Sequence, residues 1–205
     1  MSAGFDSLTD LKAYLLPSTL RGRDDWDTEI AILGKGVAAA FDRYCNRLFA
    51  RRTGATMIVP ADRWHVVVER YPIEQVTQVE LKRDEETGWQ AQEGAVEFVR
   101  EDNGVVDFGS IMGRPNELLR LTYDGGYWWD ESEDNSGSLP SGATALPEDL
   151  HLAWLQQVKD LWIRRDKLGQ SFHREDQAPA AELLKGELLP MVKHTLSAYR
   201  RYMLT

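Results

Sequence analysis

The feature that most constrains this chain is a double change of hydrophobic period. Between Asp24 and Leu48, the residues Ile30, Leu33, Val37, Phe41, Tyr44 and Leu48 recur at spacings of three and four, the repeat of a helix with one buried face. From Thr56 to Tyr123 the period falls to two, with turn signals at EETG, EDNG and MGRPN and a closing run LLRLTY. That stretch reads as about five or six strands. After Pro147 the helical repeat returns through Leu150, Trp154, Val158, Leu161 and Trp162, to about Arg165. The expected class is α+β: an α-helical bundle from the N- and C-terminal segments, with an inserted antiparallel β-rich subdomain. The boundaries follow the period: 1–54 for the N-terminal helices, 55–124 for the insertion, 125–146 for a long acidic and aromatic loop, and 147–205 for the C-terminal helices and tail.

Local signals refine this outline. Residues 7–16 suggest a short helix with Leu8, Leu11 and Leu15 on one side and Pro17 ending it. Asp24, Asp25 and Asp27 gather where the long helix starts, and Arg47, Arg51 and Arg52 at or after its end, as the helix dipole favours. Pro147, Glu148 and Asp149 make a good helix opening. The polar stretch DKLGQSFHREDQAP separates that helix from a last one, which Pro190 starts and whose face is Val192, Leu196, Tyr199 and Met203. Within ERYPIEQVTQVEL, Pro72 falls between two strand-like runs, Trp64 to Val68 and Ile73 to Leu81. Proline has no amide hydrogen for a sheet ladder, so Pro72 belongs at an edge, a bulge or a corner between strands.

Composition narrows the class. With 205 residues, 42% hydrophobic and 28% charged, the chain matches an ordinary soluble globular protein able to bury a core. No apolar run nears the roughly 18 residues of a membrane span, and the N-terminal MSAGFDSLTD is acidic where a secretory signal would be basic. Synthesis in a cytoplasm is the expectation. Cys45 is the only cysteine, which excludes an internal disulfide and a cysteine-rich zinc site. The net charge of −9 argues against gripping phosphate backbones over a wide surface.

No catalytic, cofactor or metal constellation emerges. His65, His151, His173 and His194 are scattered, and HRED at 173–176 is the nearest approach to ligand spacing. LGKG at 33–36 is too short for a phosphate loop and fits close helix packing better. No serine sits in a nucleophile elbow. Three features point to surfaces instead. Arg43, Arg47 and Arg51 recur every four residues; they read as a basic stripe, as salt-bridge partners of a neighbouring acidic surface, or as helix-end charges. RRYM at 200–203 reads as a docking peptide or a solvated tail, and tyrosine and arginine anchor interfaces well. Tyr127, Trp128 and Trp129, followed by Asp130 and Glu131, place large apolar surface in a polar loop, which either folds back on the core or meets a partner.

Six segments in order, LTDLKAYL, FDRYCNRLF, ERYPIEQVTQVEL, LRLTYDGGY, LPEDLHLAWLQQVKDLWIRR and LLPMVKHTLSAYRRY, resemble the head-tail connector, or adaptor, proteins of long-tailed bacteriophages. The resemblance covers about two thirds of the chain. It implies a structural protein of the virion neck, a dodecameric ring of copies beneath the portal, with genome DNA passing through without sequence-specific binding and no membrane partner. It implies that the Tyr-Pro segment links two strands of the inserted part. It assigns Tyr199, Arg200, Arg201, Tyr202, Met203 and Leu204 to the portal interface, and Tyr127, Trp128, Trp129, Asp130 and Glu131 to the stopper or tail side. Contacts between subunits are expected at Arg43, Arg47 and Arg51. The longer β-region and the acidic tryptophan loop depart from smaller members of the family. The alternatives are a small enzyme acting on nucleic acid or nucleotides, and another neck component such as a stopper or tail terminator.

Overall fold

The computed structural model describes residues 3–129, 138–165 and 187–201. The described residues divide into two compact units, one within Met1–Cys45 and Pro147–Arg200, the other within Asn46–Leu146 and Arg201–Thr205. The architecture is α+β, with helices in the first unit and mostly antiparallel sheet in the second.

The first unit contains α1 (Leu8–Leu15), α2 (Asp27–Cys45), α3 (Glu148–Arg164) and α4 (Pro190–Ser197). Ser7 caps α1, its hydroxyl oxygen accepting from the Asp10 amide at 3.1 Å, which satisfies one of the donors a helix start leaves open. Lys12 is buried and spans from α1 to the start of α2, donating to the Arg23 carbonyl at 2.7 Å and pairing with Asp27 at 2.5 Å. α2 packs on α1, α3 and α4 through the expected stripe. Ile30, Val37, Phe41 and Cys45 of α2, Leu150, Trp154 and Val158 of α3, and Val192 and Leu196 of α4 are all buried. Phe5 closes one end, edge-on to Phe41 at 5.9 Å between ring centroids.

The closest approach in this unit is made by glycines. Trp154 is fully buried and its indole N–H donates to the Gly34 carbonyl at 3.0 Å. A Cβ at Gly34 would collide with the Ala3 carbonyl oxygen. Gly4 sits at φ +117, where a Cβ would lie 2.7 Å from the Gly34 oxygen, so only glycine fits. The close-packing expectation for LGKG therefore holds at Gly34 and not at Gly36, whose surroundings are open.

Two helix ends differ from expectation. α2 stops at Cys45 rather than Leu48 because Asn46 turns to φ 52, a left-handed position that asparagine tolerates and that ends helices. α4 stops at Ser197, so Tyr199 lies beyond it; Met203 and residues 166–179 fall outside the described residues. Pro190 opens α4 as expected. The preceding Leu189 amide is satisfied by buried Gln157, whose Oε1 accepts at 2.8 Å.

The second unit carries β1 (Arg52–Pro60), β2 (His65–Val67), β3 (Ile73–Lys82), β4 (Trp89–Ala91), β5 (Phe98–Arg100), β6 (Val105–Asp107), β7 (Leu118–Gly125), β8 (Tyr127–Trp128) and β9 (Thr144–Ala145). Among the described residues β1-β7-β3-β4 form one antiparallel sheet and β2-β6-β5 a second. β8 and β9, within the segment read as a long loop, pair in parallel. One apolar cluster joins the two larger sheets, with Val79, Leu119, Leu121 and Tyr123 from the first and Val66 and Val106 from the second. Pro72 lies between β2 and β3, which belong to different sheets, so it marks a corner, and its peptide with Tyr71 is cis.

The two glycines of α2 generate opposite expectations. Gly36→Ala meets nothing and should stabilise by about 1 kcal/mol from helix propensity. Gly34→Ala forces a methyl into the Ala3 carbonyl and should destabilise by about 1–3 kcal/mol. Urea unfolding of the two variants checks this, and shifts of the same sign would contradict the packing described.

Candidate functional site

The most heavily built local structure lies where the chain leaves α2 and where β8 begins. Arg47 is 3% exposed. Its guanidinium lies over the rings of Tyr71 at 3.3 Å, Phe49 at 4.8 Å and Tyr127 at 5.2 Å, and donates to the Tyr71 carbonyl. A buried guanidinium needs both hydrogen-bond acceptors and π faces to offset lost hydration. Phe49 stacks on Tyr127 at 6.4 Å, and the backbones interlock as well. The Tyr127 amide donates to the Phe49 carbonyl at 2.7 Å, and the Arg51 amide to the Tyr127 carbonyl at 2.9 Å. Gly126, at φ +104, would carry a Cβ only 2.6 Å from the Ala50 carbonyl oxygen, so this close crossing requires glycine.

Charged groups continue the cluster. Arg51 forms a two-pronged pair with Glu74 at 2.7 and 2.8 Å, the geometry in which arginine binds carboxylate best. Arg70 donates a side-chain N–H to the Ala50 carbonyl, and its amide donates to the Tyr123 hydroxyl oxygen at 3.1 Å. Burial pushes the Tyr123 phenol above its ordinary value. Asp124 is buried and accepts from the Gly54 amide and the Gln75 side chain, both at 2.7 Å.

The structure separates the residues that sequence spacing grouped. Arg43 is exposed on α2, whereas Arg47 and Arg51 are buried in the second unit. The helix ends before either of them, so the four-residue spacing produces no shared face. Tyr127 is buried, with half-buried Trp128 and Trp129 following it. Thus the first residue of the aromatic run folds back on the core while β8 and β9 hold the stem, the Leu146 amide donating to the Trp128 carbonyl at 2.8 Å. Residues 124–146 are therefore not wholly irregular; Asp130 and Glu131 fall outside the described residues.

At the C-terminal end, the Tyr199 hydroxyl donates to Asp149 at 2.6 Å and Arg200 lies 5.5 Å over the Tyr44 ring. Arg201 donates to the Val67 carbonyl of β2 at 2.6 Å. Tyr202, Met203 and Leu204 fall outside the described residues. No sequence pattern marked Arg47 as a cluster centre or Gln157 as the acceptor for Leu189, because both roles depend on residues distant in the chain.

A groove of about 270 Å³ beside β3 and β4 runs between Val76–Val79 and Ala91–Val96, and Glu93 is its only titratable lining residue. Among the described residues no cluster of three or more histidine, cysteine, aspartate or glutamate side chains is placed to hold a metal. No described helix is long and apolar enough to cross a membrane.

Glu80 and Arg120 pair across β3 and β7 at 2.5 and 2.8 Å, with Arg120 over the Trp89 ring at 4.4 Å. The hydrogen bonds from Arg120 hold the Glu80 carboxyl below its ordinary value. A depressed carboxyl contributes stability above its unfolded pKa and loses it as pH falls through the folded value. Acid titration of unfolding free energy should therefore show a decline below the ordinary glutamate range that is shallower in Glu80→Gln; an identical acid limb would remove Glu80 as a contributor. For the arginine cluster, Arg47→Lys keeps the charge but loses the planar stacking, and should cost about 1–3 kcal/mol. Hydrogen exchange at the Arg51 and Tyr127 amides should speed up in that variant, and unchanged protection would detach the cluster from the stem of β8.

No protein-family model matches the chain, and no curated protein matches it. Solved structures do. A chain in the neck of an empty gene transfer agent particle, computed with C6 symmetry, aligns with a TM-score of 0.62 at 15% identity, covering 98% of this chain and 92% of that one. A chain in the virion of a native gene transfer agent particle aligns with a TM-score of 0.63 at 16% identity, over the same 98% and 92%. The chain shares the fold of these particle proteins along nearly its whole length.

Proposed function

We propose that this protein is a structural neck component of a tailed, phage-like particle, and within the neck a head-tail connector that forms a ring beneath the portal. The observation that carries the reading is the fold shared over 98% of the chain with chains from a gene transfer agent neck and virion. The ordered resemblance of six sequence segments to connector proteins supports it independently. In this reading the helices from both ends of the chain act as one bundle with the β-rich part inserted between them. The ring serves as a joint, and no bond is made or broken by the protein. Copies each carrying −9 give a negative ring that repels DNA phosphates and lets the genome pass without sticking. A dodecamer is the subunit number proposed from the resemblance.

The proposed interface roles differ from residue to residue. Tyr199, Arg200 and Arg201 are engaged inside their own units, which positions the C-terminal segment, and residues 202–204 are the proposed portal contacts. Tyr127 is an anchor, so Trp128 and Trp129, with Asp130 and Glu131, are the proposed contacts to the stopper or tail-side protein. Among the three arginines Arg43 is the direct subunit contact, while Arg47 and Arg51 act by shaping the second unit.

Reconstitution tests this assignment. Purified protein added to portal-bearing heads that lack neck proteins should appear by electron microscopy as a ring directly beneath the portal. Binding only after another neck protein has been added would place it lower, as a stopper or tail terminator, and no binding at any stage would defeat the neck reading. Deleting residues 202–205 should reduce portal docking at least tenfold while leaving the unfolding midpoint unchanged, and undiminished docking would remove the C-terminal segment from the portal interface.

A further inference from the structure

The outward faces of α2 and α3 are complementary to each other, and within one chain they cannot meet. The two helices pack together through their opposite faces, around Gly34 and Trp154. Outward on α2 lie Glu29, Ile32, Gly36, Ala39 and Arg43, at alternating spacings of three and four and all exposed. Outward on α3 lie Glu148, Leu152, Lys159 and Ile163, also exposed, with Leu155 half-buried beside them. Ile32 is 66% exposed, Leu152 51% and Ile163 65%. Neither Arg43 nor Glu29 nor Glu148 has an ion-pair partner among the described residues.

We infer that the outward face of α2 in one copy docks antiparallel on the outward face of α3 in a second copy of this chain. Charge selects the direction. An antiparallel register that sets Arg43 against Glu148 brings Glu29 within a turn of Lys159, whereas a parallel one sets Glu29 against Glu148 and Asp149. Shape agrees with charge. In the antiparallel register Ala39 faces Leu152 and Gly36 faces Leu155, so small residues on one helix receive large ones from the other. That allows an interaxial distance near the lower limit of about 8 Å. Ile32 then lies along the aliphatic stem of Lys159, whose ammonium rests over the Tyr14 ring of its own chain at 5.2 Å.

The two faces belong to different helices, so the contact is head-to-tail. Such a contact repeats from copy to copy and closes into a ring when its rotation divides a full turn. The inference rests on the ring reading above and names the surfaces that would close the ring.

Paired cysteines test it. Ala39→Cys combined with Leu152→Cys, oxidised at millimolar protein concentration, should give a ladder of disulfide-linked dimers, trimers and larger species. Each single variant should give no ladder, and the wild type, whose Cys45 is buried, should stay monomeric under denaturing conditions. Both substituted positions are exposed, and an unchanged circular dichroism spectrum verifies folding. As a second measurement, Arg43→Glu should reduce the yield of native oligomers or of portal-bound rings at least tenfold, and adding Glu148→Arg should restore it. Absence of a ladder, or a dimer formed by Gly36→Cys alone through α2 pairing with α2, would overturn the contact. A failed ladder in a protein that still binds portal-bearing heads overturns the contact and leaves the neck reading intact. A ladder from a protein that never binds heads supports the contact and removes the neck reading.

Discussion

Much of the second unit is organised by one buried positive charge. Removing a guanidinium from water costs several kcal/mol even after relaxation, so Arg47 persists only because its surroundings are arranged around it. Three rings and a carbonyl supply that compensation, and they come from separate places: Phe49 just after the helix, Tyr71 at the corner between sheets, and Tyr127 at the start of β8. Each group is thereby fixed relative to the others. The sheet corner, the crossing of Gly126 over Ala50 and the stem of the aromatic loop all lie beside this desolvated cation. The neighbouring Arg51 and Glu74 follow the same rule in simpler form, since a two-pronged pair satisfies both ions locally.

How much of this was legible in the sequence depends on how far each signal extends along the chain. The stripes of α2 and α3 are long enough for Ile30, Val37 and Phe41, or Leu150, Trp154 and Val158, to repeat several times, and all of these are buried. The corner at Pro72 was readable because proline removes a donor wherever it sits. β4, β5 and β6 span three residues each, too few for alternation to show, which is why seven strands occupy the region read as five or six. Of the readings open to the arginines, ion pairing fits Arg51, which pairs with Glu74, and a shared stripe does not. A spacing of four is helical only while the helix lasts, and a single left-handed residue, Asn46, ends it before Arg47. Gln157 and Asp124 were invisible because their partners, Leu189 for one and Gly54 and Gln75 for the other, lie far away in sequence.

Several buried polar groups among the described residues serve the fold itself. Buried polar groups are engaged in holding backbone in place: Lys12 between helices, Gln157 at the start of α4, Asp124 under Gly54. The groove beside β3 and β4 is lined by one carboxylate, Glu93. Exposed apolar side chains are spread over both units, with Ile32, Leu152, Ile163 and Met191 in the first and Ile58, Trp64, Phe98 and Ile111 in the second. In the proposed neck role such patches would serve as contact surfaces.

Modest patches also bear on when such a ring would form. A contact built on a few exposed aliphatic side chains and a pair of surface ion pairs is weak by itself, because exposed ion pairs contribute only about 0–1 kcal/mol each. Copies made in excess would then remain largely separate while dilute. A preformed ring of binding sites changes the balance, since each copy captured there meets its neighbour at a high effective concentration without any new kind of contact. The high net negative charge acts in the same direction by opposing untemplated association. In the proposed neck, weak lateral faces and a repulsive body would thus restrict assembly to a symmetric template, the portal.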